Sequence, residues 1–207
     1  LADIEQVIIE AIKTALRDTH TALPARVISF NSTNQTVNVQ PTIKRVFRDG
    51  DIADLPVISE VRIAFQNVGN FCITFPLSSG DEGLLIFAER NIGAWQQSGK
   101  NEIPNDTRMH DLSDAIFFPM CYSDPNKISS FSASDISIRT RDGSGKIEIA
   151  PDGRIEIERS GNKVLQTMSD LLGTLSTETV TILGIPYTLD HQSEYAGYKT
   201  VIDNIKK

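Results

Sequence analysis

Three aspartates crowd one polar stretch of the chain: Asp106, Asp111 and Asp114. Carboxylate pairs carry out glycoside hydrolysis, one as acid and the other as base or nucleophile, and such pairs have no spacing signature. These three are therefore the candidate acids of a cell-wall or surface-glycan hydrolase. Solvated loop acids are the plainer reading of the same residues. Other chemistry finds less support. His20, His110 and His191 are far apart and lack the His-x-His or His-x3-His spacing of a metal site. Ser144, in Asp-Gly-Ser-Gly, reads as turn material and not as a nucleophile elbow. The run Ser78-Ser79-Gly80-Asp81-Glu82-Gly83 lacks the lysine of a phosphate loop, and its acids would repel phosphate. Sequons beginning at Asn31, Asn34 and Asn105 carry weight only in a secreted chain. No catalytic, cofactor-binding or metal-ligating residue is assigned from these patterns.

Composition narrows the classes further. Lys plus Arg is 20 against 27 for Asp plus Glu, a net charge of -7 over 207 residues. A dedicated nucleic-acid binder needs clustered positive charge to displace counterions, and a single-strand binder needs aromatics among basic residues. Neither is present, so no specific nucleic acid is expected as a partner. Hydrophobic residues at 40% supply material for a core. The strongly apolar runs are about six residues long, far below the roughly 18 of a membrane span. Acids among the first residues argue against a secretory signal. Cys72 and Cys121 have apolar neighbours and read as small buried thiols. A soluble, intracellularly made chain is the expectation.

The elements that must position these residues change period along the chain. Residues 1–22 read as an N-terminal helix stopping near His20, with Asp3 as N-cap. Ile4, Ile8, Ala11 and Ala15 alternate steps of four and three, a short coiled-coil-like seam that must pack on something. From Ala25 the period becomes two. Strands are expected at 26–30, 36–40, 57–64, 71–75 and 83–88, with 43–47 extending the second, and they suggest a small closed barrel. Residues 89–114 form a long polar loop, and 115–119 return to the barrel as an apolar strand. The barrel domain is assigned to 23–123.

Residues 124–160 hold a short-period array. Ile136 and Ile138, Ile147 and Ile149, Ile155 and Ile157 alternate with polar residues, and Asp142-Gly143 and Asp152-Gly153 turn the chain between them. Each unit offers two inward side chains, too little to bury itself, so the array needs partners, most economically identical ones. The six isoleucines are the expected shared core. Glu148 and Glu156 are expected on a solvated outer face with Arg and Lys. Residues 161–207 read as helical. Val164, Leu165, Met168, Leu171, Leu172 and Leu175 form one stripe, Ile182 to Leu189 with Gly184 and Pro186 breaks the pattern, and a last helix follows with Ser193 as cap.

One stretch carries more than pattern. Gly80-Asp81-Glu82-Gly83, Glu89-Arg90, Trp95, Gly99, Pro104 and Arg108-x-His110-Asp111-Leu112-Ser113-Asp114-Ala115 occur in an order that resembles the central spike proteins of contractile-tailed bacteriophage baseplates. The resemblance covers about residues 25–120. It implies a mainly β protein: an N-terminal helix, a small five-stranded OB-type barrel, a short intertwined trimeric β-helix and C-terminal helices. It also implies a homotrimer without catalytic activity, located in the virion at the tail baseplate and assembled in the host bacterial cytoplasm. Such a spike attaches to a hub protein at the tail-tube end and contacts the host envelope mechanically. Ile4, Ile8, Ala11 and Ala15 are then the candidate hub-binding face. Some relatives hold an iron ion at the tip through a His-x-His near the C-terminus, which this sequence lacks, so no metal and no cofactor is expected. Either a separate spike-tip protein docks below the helices or the helices themselves form the end.

Overall fold

The computed structural model describes residues 2–47, 49–183, 185–188 and 191–206. They belong to two compact units, Leu1–Asn126 and Lys127–Lys207.

The first unit opens with α1 (Ala2–Arg17). Ile4, Val7, Ile8, Ile12 and Leu16 are 54–68% exposed along it, so its apolar stripe faces solvent in the single chain. Asp3, expected as N-cap, falls within the bounds of the helix. The barrel follows. Its strands are β1 (Ala22–Asn31) and β2 (Thr36–Pro41), then, beyond a hairpin of β3 (Arg45–Val46) and β4 (Ile52–Ala53), β5 (Ile58–Ile63). A second hairpin pairs β6 (Gln66–Val68) with β7 (Phe71–Ile73), and β8 (Glu82–Phe87) and β9 (Ala115–Phe118) complete the set. The barrel closes in the order β1-β2-β5-β9-β8, antiparallel except where β5 meets β9.

Alternation sends Val27, Val37, Val39, Leu85 and Phe117 inward, each at 0–1% exposure, with Ala25, Ile58, Val61, Phe87 and Ala115 beside them. Two expected strands are placed differently. The 43–47 segment and the 71–75 segment form local hairpins outside the barrel, and the fifth barrel strand is 115–118. Gly69 at φ +60 closes a tight turn that lets 66–68 pair with 71–73 at once, at far smaller loop-closure cost than a barrel position. Cys72 on that hairpin and Cys121 beyond β9 are both exposed, contrary to the buried reading. Between β8 and β9 run α2 (Gly93–Ser98), ended by Gly99 at φ +68, and a 3-10 turn at Leu112–Asp114.

The second unit is an antiparallel meander in chain order: β10 (Ile136–Arg139), β11 (Gly145–Ile149), β12 (Ile155–Arg159) and β13 (Asn162–Lys163). Gly143 and Gly153 take φ of +75 and +84 at its turns, where a Cβ would be strained. Helix α3 (Val164–Thr177) starts directly after β13. A hairpin of β14 (Thr179–Ile182) and β15 (Ile185–Thr188) leads to α4 (Gln192–Ile205), which packs on α3. Gly184 and Leu189, read as breaking the helical pattern, lie outside the described residues. Ser193 lies inside α4, behind His191 at the cap position.

Candidate functional site

The three loop aspartates are occupied in holding the loop. Arg108 Nε donates to Asp114 Oδ2 at 2.5 Å and Nη2 to Oδ1 at 3.0 Å, and Ile92 N–H donates to the same Oδ1. Asp114 is 2% exposed, at the point where the loop enters β9. Asp106 accepts from Arg108 N–H and from Nη1 at 2.9 Å. Hydrogen bonds from Asn91 and the Arg108 backbone hold its carboxyl below the usual range. Asp111 accepts from the Ser113 hydroxyl and N–H, which lower its pKa likewise. A general acid needs a raised pKa, and neither Asp106 nor Asp111 has one. His110 Nδ1 sits 3.2 Å from His20 O, and the His20 ring lies tilted on Phe87 at 5.5 Å. His191 lies 3.4 Å from Glu194. Among the described residues no group of three His, Cys, Asp or Glu side chains is arranged to hold a metal ion. Nor is any described helix long and apolar enough to cross a membrane.

The Gly-Asp-x-Gly stretch is equally structural. Gly80, at φ +100, turns the chain, and Asp81 Oδ2 accepts from Ser78 N–H at 2.7 Å. Gly83 leaves room for the Phe117 ring: a Cβ there would stand 2.4 Å from Phe117 Cζ and 2.6 Å from Phe118 O. Glu82 accepts from Ser123 N–H at 2.7 Å and from its hydroxyl at 2.8 Å, bonds that bring its pKa down to about 2. Sequence reading left Glu82 unassigned, because its partner lies 41 residues away.

The sheet of the second unit carries an open apolar face. Ile136 pairs across the ladder with Ile149, Ile138 with Ile147, Ile147 with Ile157, and Ile149 with Ile155. Directly paired residues point to the same side, so all six isoleucines form one grid, as the alternation predicts. They are 38–70% exposed.

The opposite face overturns the expectation of a solvated surface. Glu148 and Glu156 are 7% and 4% exposed and stand directly opposite each other. Lys146 Nζ lies 3.2 Å from Glu148, 3.3 Å from Glu156 and 3.2 Å from Glu158, and Lys163 Nζ reaches Glu156 at 2.6 Å. One ammonium among three carboxylates removes the repulsion that two facing glutamates would suffer. Burial raises the Glu156 pKa, but hydrogen bonds from Lys163 and Lys146 and the charge of Lys163 help to outweigh it, and it comes to about 2. Burial lowers that of Lys146, and the three carboxylates more than reverse this, leaving it above the ordinary lysine value.

Among the described residues of the second unit, the buried ones are Ala150, Glu148, Glu156 and Ser169. One methyl and three polar groups do not make an apolar core. The unit is inside out. The stripe on α3, read as one from sequence, is split by the structure: Leu165 and Leu172 are partly buried, whereas Val164, Met168 and Leu171 are exposed.

Residues 23–120 match the family model of the phage protein Gp138 N-terminal domain. The matched segment is the closed five-stranded barrel with its long loop. Match and barrel together fit a structural protein of a phage tail or baseplate and suggest association with the virion. No curated protein matches the chain.

Proposed function

We propose that the chain is the central spike of a phage tail baseplate, acting as a homotrimer that pierces the host envelope mechanically. The observation that carries the reading is the open grid of Ile136, Ile138, Ile147, Ile149, Ile155 and Ile157 above a buried polar face. Burying apolar surface stabilises by about 25 cal/mol per Å2, and this sheet has left that surface outside. Copies of the same chain supply matching walls, and the outer edge of β10, which no strand among the described residues covers, offers N–H and C=O groups to continue a ladder into a neighbour. Three such sheets wound together form the trimeric β-helix, in which axial load is spread over many inter-chain hydrogen bonds.

The barrel joins the spike to the hub at the tail-tube end, and α1 is the attachment face, with Ile4, Ile8, Ala11 and Ala15 along it. The net charge of -7 suits a shaft that must not adhere to nucleic acid. The hydrolase reading gains nothing from the geometry, because Asp106, Asp111 and Asp114 are each engaged in holding the loop. Light scattering tests the proposal. The expected mass is about 68 kDa, three times 22.8 kDa. A stable monomer at micromolar concentration, or clearing of peptidoglycan or host polysaccharide by the purified chain, would overturn it.

A further inference from the structure

Helices α3 and α4 run antiparallel. Ser169 Oγ donates to Asp203 Oδ1 at 2.6 Å, Gly173 lies against the Lys199 side chain, and Gln192 Nε2 donates to Glu178 O at 2.6 Å. These polar bonds run beside Leu165, Leu172 and Ile202, which are partly buried. Ser169 is fully buried and also accepts from Lys206 Nζ at 3.0 Å, while Lys199 and Lys206 both pair with Asp203. These bonds hold the Asp203 carboxyl well below the usual range.

A second set of apolar residues stays open. Val164, Met168 and Leu171 on α3 are 45–59% exposed, and Tyr198, Val201 and Ile205 on α4 are 46–60% exposed. Their steps are four and three on α3 and three and four on α4, the spacing of a coiled-coil seam. On each helix the open seam lies about 100° from the stripe facing the other helix, in the same rotational sense at about 100° per residue. Because the helices are antiparallel, equal rotation in the same sense brings both seams to one side of the hairpin. That side carries two adjacent, uncharged, open seams. A groove of ≈ 260 Å3 runs beside Met168 and Leu171, open to a side chain from outside.

We infer that this side of the hairpin is a second self-association face, covered by the same helices of two further copies in a bundle at the end of the strand array. The inference rests on the trimer reading and extends it to a part of the chain that reading leaves unassigned. Two observations favour a second copy over a foreign partner. Helix α3 begins at the residue after β13, so copies gathered through the sheet bring their hairpins together with no free linker between. The six seam residues carry no charge, so repeating them about an axis sets no like charges against each other. The end of this chain is then a packed helical bundle.

The chain contains its own probe. Its three methionines are Met109, Met120 and Met168, at 49%, 57% and 45% exposure in the single chain. Peroxide oxidation should therefore treat them alike unless association covers one. Each rate is measured by peptide mass spectrometry on the full chain at the concentration used for light scattering, relative to the same residue in urea. Met168 should react about tenfold slower than Met120 in the folded protein. Leu171→Lys should restore the Met168 rate and leave Met120 unchanged. A trimeric mass with Met168 as reactive as Met120 would overturn the bundle and leave the trimer standing. Continued protection of Met168 in Leu171→Lys would also overturn it. A monomeric mass would remove both readings together.

Discussion

Arg108 grips both carboxylate oxygens of Asp114 through Nε and Nη2, at 2.5 and 3.0 Å, and this pair joins the start of the Arg-x-His-x-Leu-Ser-Asp-Ala stretch to its end. Asp114 is 2% exposed and Arg108 about one-third exposed. Removing one partner of a buried pair costs 3–5 kcal/mol when the other stays dry, and Arg108 can rehydrate. Asp114→Ala should therefore cost about 2 kcal/mol, read as a lower urea midpoint of the barrel.

Gly83→Ala should cost more than its one methyl suggests. The added Cβ meets the Phe117 ring, itself fully buried, and the Phe118 carbonyl. Neither can move without opening the β8–β9 ladder. Overpacking of this kind costs about 1–3 kcal/mol, so thermal unfolding of the barrel should fall by several degrees. Gly50→Ala, at φ +92 with open space around it, separates steric crowding from backbone strain.

Ile149→Asp distinguishes an open face from a covered one. In the single chain Ile149 is 42% exposed, so a charge there is tolerated. In a trimer the charge appears three times near one axis, and the assembly should dissociate in light scattering. Glu148→Lys should now also be costly, by more than about 2 kcal/mol, because it sets a second cation beside Lys146 on a buried face. Unchanged mass and melting for Ile149→Asp would mean that no copy covers the grid.

Acid should loosen the strand array within a defined window. The Glu156 carboxyl has an ordinary value of 4.5 and is held at about 2 in the folded chain. A depressed carboxylate stabilises fully above the unfolded value and loses that contribution as pH falls through the folded one. Stability should therefore decline between about pH 4.5 and 2, and Glu156→Gln should flatten that part of the curve. A slope unchanged by the substitution would assign the acid response to other carboxylates.

Removal of residues 2–17 should leave barrel melting unchanged and abolish hub capture in a pull-down. The cut is placed at Arg17 because the barrel begins to hold the chain just beyond it, with Thr21 O accepting from Phe87 N–H at 3.0 Å. Undiminished capture would put the attachment on another surface.

Much of this was legible in residue order. Alternation alone placed the six isoleucines on one face, and Ala115 to Phe118 announced themselves as a return strand. What periodicity could not show was which face of the array is dry. Glu148 and Glu156 read as surface residues because nothing local reveals that Lys146 and Lys163 converge on them. The stripe on α3 read as one because two adjacent seams, at 164-168-171 and 165-169-172, merge into a single broad arc, and only the position of α4 separates them. Phe71 to Phe75 looked like a barrel strand because a hairpin and a barrel strand share the same pattern. The loop aspartates read as solvated acids, with a hydrolase pair as the rival, because their guanidinium partner could be identified only from the fold.

The two units will meet very different fates as the chain leaves the ribosome. The first has a finished apolar core, built from five strands that are all complete by residue 118, and N-terminal domains fold while the remainder is still being made. The isoleucine grid is translated afterwards, on a chain already carrying a folded, acidic neighbour. In the proposed assembly the grid stays open, and so prone to mispairing, until other copies cover it. Under the proposed trimer, the stability of the second unit is set by mass action and rises with the concentration of chains. A refolding experiment on this protein should be order-dependent in concentration for one half of the molecule and indifferent to it for the other.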